Sequence, residues 1–229
     1  LFRTDDSVAR MSRGFEEMID RTEELTRIAG VHFFDAAPTE DERHALLEQD
    51  AEVNRLARRI RRQVAAHLAT TDSGTPYGLL LMSLVKDVES IGDYARRLAG
   101  VRAHGGGPPP ENDDVAATLR DVRSRLAEIY TEVKPVFSDE DIDRARTLVD
   151  RALEVCRITD ALPARVAEGS YDTTTAVTLV SGSYFYQRIA GHLLNVLSGV
   201  FLPLDQLDEY DEADLDEMRS LAQETREEG

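Results

Sequence analysis

Apolar residues recur at intervals of three and four along almost the whole chain, the spacing of an amphipathic helix. Leu46, Val53, Leu56, Ile60 and Val64 form one such stripe, and Leu84, Val85, Val88, Ile91, Ala95 and Leu98 form another. Strand-like β-branched patches such as "TTTAV" (173–177) are short and sit in helical surroundings. The pattern predicts six helices, at about 5–34, 40–70, 76–102, 112–137, 139–168 and 171–202. The breakers between them are "DAAPTEDE", "TTDSGTP", "FSDED" and "EGSYD", with Pro163 expected to kink the fifth helix. One interruption is longer than the rest: "HGGGPPPEND" places three Gly before three Pro, and no helix continues through that.

On either side of this linker the order repeats. Setting "ESIGDYARRLAG" (89–100) over "QRIAGHLLNVLS" (187–198) pairs Ile91 with Ile189, Gly92 with Ala190 and Leu98 with Val196, at a constant offset of 98 residues. "DAEVNRLARRI" (50–60) falls over "CRITDALPARV" (156–166), pairing Asp50 with Cys156 and Asn54 with Asp160. The expected architecture is all-α, two tandem three-helix bundles. One unit spans 1–104 and the other 111–202, with an acidic C-terminal tail over 203–229.

Composition narrows what such a bundle can do. A net charge of −17 argues against nucleic-acid binding, because phosphate backbones require a basic footprint. The most apolar region, 176–204, is interrupted by Gln187, Arg188, His192 and Asn195, so it reads as a buried helix rather than a membrane span. A single cysteine, Cys156, excludes an internal disulfide and suits a reducing, cytoplasmic compartment. The first residue is Leu, which is also what a domain cut from a longer polypeptide would show.

Against this background "LVKDVESIGDYARRLAG" (84–100) stands out. At about 100° per residue, Glu89 and Asp93 lie side by side at the border of the apolar stripe, while Asp87 points elsewhere. Like charges four residues apart repel, and an internal Gly92 costs about 1 kcal/mol against Ala. On the preceding helix Asp50 and Asn54 make a second four-apart pair at the edge of its stripe. Carboxylates and amide carbonyls are hard oxygen donors suited to Mg²⁺, Mn²⁺, Ca²⁺ or iron, and to zinc with less preference. A cation would relieve the repulsion, and Gly92 would leave open space beside it. The structural alternative is a solvated acidic edge.

The 84–100 stretch resembles the signature helix of the PhoU family, of the form D-x-E-R-I-G-D-x-A-x-x-I-A. "LLEQDAEVNRLARRIRRQV" (46–64) resembles that family's D-x-x-x-D/N helix. The resemblance implies a tandem of three-helix bundles that binds metal and acts in phosphate homeostasis by restraining a phosphate transporter and a sensor histidine kinase. Membrane contact would come only through such a partner, and homodimers are frequent in the family. It implies Glu89 and Asp93 as metal ligands, Asp50 and Asn54 facing them, and Asp87 as a contributor. Ser90 departs from the family pattern, where Arg is usual. In the second half Gln187, Gly191 and Cys156 replace acids, so no cluster is expected there. Two other readings are the cytosolic PhoU-like domain of a sodium–phosphate cotransporter and a metal-free helical adaptor.

Other residues read as structural. Arg55, Arg58, Arg59 and Arg62 fall away from the apolar stripe as a solvated, salt-bridged face. His192 is expected to be packed or hydrogen-bonded, and Cys156 to be a small core residue. A ferritin-like di-iron centre needs Glu-x-x-His, yet Ala29, Asp41, Val64, Val101 and Ile189 precede the five histidines by three. With no nucleophile–base motif or phosphate-binding glycine loop either, catalysis is not expected.

Overall fold

The computed structural model describes residues 6–70 and 75–202; the acidic tail over 203–229 lies outside the described residues. The helices are α1 (Asp6–Phe34), α2 (Glu40–Leu68), α3 (Thr75–Gly100), α4 (Asp114–Asp139), α5 (Ile142–Glu168) and α6 (Thr173–Ser198). All six predicted helices are present, with ends shifted by at most four residues.

The starts follow from side chains that accept the otherwise unpaired first-turn N–H groups. Thr39 and Glu42 form a reciprocal capping box at α2. Asp113, Asp141 and Asp172 accept from the N–H groups of Ala116, Arg144 and Thr175 at the starts of α4, α5 and α6. α4 stops on Glu140, whose φ of 50° lies in the left-handed region.

Pro163 lies inside α5 and the helix continues through it. A proline has no N–H, so the carbonyl four residues earlier, on Thr159, loses its helical donor. Ser183 of α6 supplies the replacement, its hydroxyl donating to the Thr159 oxygen at 2.5 Å. The residue expected to disturb α5 thus becomes a point where α6 is tied to it.

Within each trio every helix packs on the other two, and the trios meet chiefly through α3 against α6, with α1 touching α4. The core runs unbroken through both, from Met18, Leu25 and Phe33 to Leu126, Leu162, Tyr186 and Leu193. Burying each large apolar side chain contributes about 1.5–3 kcal/mol. α6 is the most deeply buried helix, as the 176–204 reading expected, and no helix among the described residues is long and apolar enough to cross a membrane.

The α3–α6 junction is polar at its centre. Asp87, 5% exposed, accepts from His192 Nδ1 at 2.8 Å and Asn195 Nδ2 at 3.0 Å. His192 stacks on Tyr94 with ring centroids 5.6 Å apart. Positions 94 and 192 are related by the 98-residue offset, so equivalent sites of the two repeats touch. At the second seam, Gly182 of α6 admits Phe33 of α1: a Cβ there would lie 2.3 Å from the ring.

The Gly-rich linker has a local reason too. Gly105 takes a φ of 99°, and Gly106 lies so flat that a Cβ would stand 2.8 Å from both the Val101 carbonyl and the Thr178 hydroxyl. The chain leaving α3 is thereby pressed against α6.

Candidate functional site

α2 and α3 pack side by side, and their apolar stripes turn the border positions towards one another. Asp50 is nearly buried, with its side chain 12% exposed, and Glu89 and Asp93 are half-buried beside it. Burial pushes the Asp50 carboxyl above its ordinary range. Arg96 opposes that, while the Asp93 and Glu89 charges add to it. The first three expected ligands therefore share one electrostatic neighbourhood.

Two arginines hold this edge together. Arg96 Nη2 donates to Asp93 Oδ1 at 2.9 Å, and its Nε stands 3.3 Å from Asp50 Oδ2 as an ion contact without hydrogen-bond alignment. Arg61 of α2 donates to Glu89 Oε2 at 2.7 Å. Arg97 reaches Asp93 Oδ2 only at 3.8 Å. Among the described residues no three His, Cys, Asp or Glu side chains come together as a preformed metal cluster. The donor chemistry suits a hard cation, but the positive charge at this edge is supplied by Arg61 and Arg96.

Neither arginine was singled out in the sequence, although the wheel contains both. Arg61 follows Asn54 by seven and Asp50 by eleven, and Arg96 follows Glu89 by seven. Each interval returns to within roughly 20° of the same face. The other arginines of α2, at 55, 58, 59 and 62, are exposed, and Arg55 pairs with Glu52 as a solvated face would.

The remaining expected ligands divide. Asn54 lies on the same face of α2 as Asp50, half-buried. Asp87 does not join the others: it is bound into the α3–α6 junction by His192 and Asn195. Gly92 is buried, but a Cβ there would make only ordinary contacts, 3.5 Å from Asp50 Oδ1 and 3.6 Å from Val53. The space beside the acids does not demand a glycine.

The second repeat shows the same register with different chemistry. Gln187 Nε2 donates to Asp160 Oδ1 at 3.4 Å, and the buried Cys156 Sγ lies 4.0 Å from the Gln187 carbonyl. The aligned positions meet as they do in the first repeat, with an amide and a thiol where acids stand there.

A six-helix tandem bundle with paired acids on adjoining helices has counterparts among known proteins. Residues 8–101, from the first turn of α1 to the end of α3, match the family model described as PhoU domain. The structure superposes on PhoU from Pseudomonas aeruginosa with a TM-score of 0.74 at 18% identity, covering 85% of this chain and 95% of that one. The phosphate transport system regulatory protein PhoU from Streptococcus pneumoniae also gives 0.74, at 14% identity, covering 89% and 97%. No curated protein matches in sequence. The first repeat is thus similar to a PhoU domain over residues 8–101, and the fold across both repeats is that of the solved PhoU structures.

Proposed function

We propose that this protein is a PhoU-type regulator of phosphate uptake, acting by contact with a phosphate transporter or its sensor kinase rather than by catalysis. The PhoU-domain match over all three helices of the first repeat carries this reading. Soluble, cytoplasmic placement goes with it. α6 offers a row of exposed apolar side chains, Val177, Val180 and Tyr184, on which a partner could seat. Deleting the gene in its host and following labelled phosphate uptake tests the reading. Uptake released from restraint at high phosphate is expected, and unchanged uptake would count against it.

The same proposal assigns the α2–α3 edge as a divalent-cation site using Asp50, Asn54, Glu89 and Asp93, with Mg²⁺, Mn²⁺, Fe²⁺ or Zn²⁺ as the class of ion. Three carboxylates on adjoining helices, with the charges of Asp93 and Glu89 felt at Asp50, support it. A bound cation would supply the positive charge that Arg61 and Arg96 now provide, bracing α2 against α3. Metal content by mass spectrometry, on protein purified without chelator and on Glu89→Gln/Asp93→Asn, is the direct check. About one ion per chain, lost in the double variant with helicity intact, is expected. No metal even after loading would leave a metal-free adaptor whose acidic edge is closed by its own arginines.

A further inference from the structure

A cavity of about 460 Å³ opens where α3 ends, the glycine linker turns back and α6 begins. In a chain with 44 acidic residues against 27 Lys and Arg, the described side chains lining it include no Asp or Glu. Arg96, Arg97 and His104 line one side, and Thr173, Thr174 and Ser181 the other. Arg97 is more than half exposed, and its one ion contact, to Asp93, is long at 3.8 Å. His104 donates through Nδ1 to the Gly100 carbonyl at 2.7 Å, which leaves Nε2 as the nitrogen available to a ligand. The first turn of α6 also borders the cavity; its dipole is already met by the N-cap carboxylate of Asp172, so the free donors there are the Thr173, Thr174 and Ser181 hydroxyls and the two guanidinium groups opposite. Phe185 and Val177 add an apolar wall.

We propose that this cavity binds a phosphoryl oxyanion. Planar guanidinium groups match the spacing of phosphoryl oxygens, the hydroxyls add donors, His104 adds a donor at Nε2 when the ring is the imidazolium, and the volume lies within the range of small-molecule sites. Free phosphate and the phosphoryl group of a larger metabolite share this chemistry.

Arg96 ties the cavity to the acidic edge, because the same guanidinium contacts Asp50 and Asp93. An oxyanion that draws Arg96 towards the cavity uncovers those carboxylates, and a cation on the carboxylates releases Arg96 to the oxyanion. The two ligands therefore favour one another, and the coupling is reciprocal. This second step rests on the cation reading above; the oxyanion site does not.

The test is calorimetric titration of the full chain with inorganic phosphate, and separately with AMP, in chelator at constant ionic strength, using chloride as the control anion. Saturable binding of either probe is expected, and the better one identifies the source of the phosphoryl group. Arg97→Gln and His104→Gln, both at exposed positions, should each weaken binding about ten-fold with unchanged circular dichroism. Absence of saturable binding, or variants that bind like the parent, overturns the proposal and leaves the metal measurement standing. Repeating the titration with saturating Mn²⁺ should tighten binding. If phosphate binds and Mn²⁺ has no effect, the coupling through Arg96 is wrong.

Discussion

Asp50 concentrates the tension of the acidic edge in one carboxyl. Its pKa is raised above 3.8, first by burial, so the folded protein holds the proton more tightly than the unfolded chain does. The charged form is therefore a cost to the native state. That cost is absent below pH about 3.8 and grows as pH rises through the folded-state pKa. Asp50→Asn should raise the melting temperature at pH 7, with the gap to the parent closing as pH falls into the acid range; a variant less stable at pH 7 would contradict this. Tyr186 is the neutral counterpart. It is fully buried among Phe33 and Phe34, its hydroxyl has no hydrogen-bond partner among the described residues, and burial pushes its pKa far up. Tyr186→Phe removes a desolvated hydroxyl and should stabilise by about 1 kcal/mol in urea unfolding.

At the scale of the element, the helices were legible because each carries an apolar stripe bounded by breakers, and α2, α4, α5 and α6 begin on a threonine or aspartate cap. The exception at the end of α4 follows from one residue. Glu140 takes the left-handed conformation that a glycine adopts freely, so Glu140→Gly should stabilise by about 0.5–1 kcal/mol, read as a rise of a few degrees in melting temperature. The α2–α3 pairing of Asp50, Glu89 and Asp93 was equally readable, since helical spacing alone puts them at the stripe borders. Arg61 and Arg96 were not. Several arginines share those turns, and only the packing of one helix against its neighbour decides which of them turns inward. The contacts of Asp87 were hidden for a related reason: it belongs to a different face, and the partner of that face lies more than 100 residues away in α6.

For the whole molecule, the meeting of α3 with α6 makes two repeats into one structure. Removing Asp87 leaves the His192 and Asn195 donors without their acceptor inside that seam. Asp87→Ala should destabilise by about 2–3 kcal/mol in chemical denaturation, with both trios unfolding together. Two separate transitions would show instead that the repeats are energetically independent. The glycines at the second seam and in the linker serve the same end, since Gly182 and Gly106 admit contacts that any side chain would hold apart.

That junction also carries information about identity. Under the 98-residue offset, Asp87 corresponds to Phe185, and its partners His192 and Asn195 correspond to Tyr94 and Arg97. Two copies of the first repeat brought face to face would set each Asp87 against a tyrosine and an arginine instead of the imidazole and amide that receive it here. Two copies of the second repeat would bring a pair of phenylalanines and no carboxylate. Should two chains exchange arms at the glycine linker, each first repeat would reproduce this seam only with a second repeat, so the swapped dimer is heterotypic at every contact. The two halves meet as unlike partners, each supplying at this seam a group the other lacks.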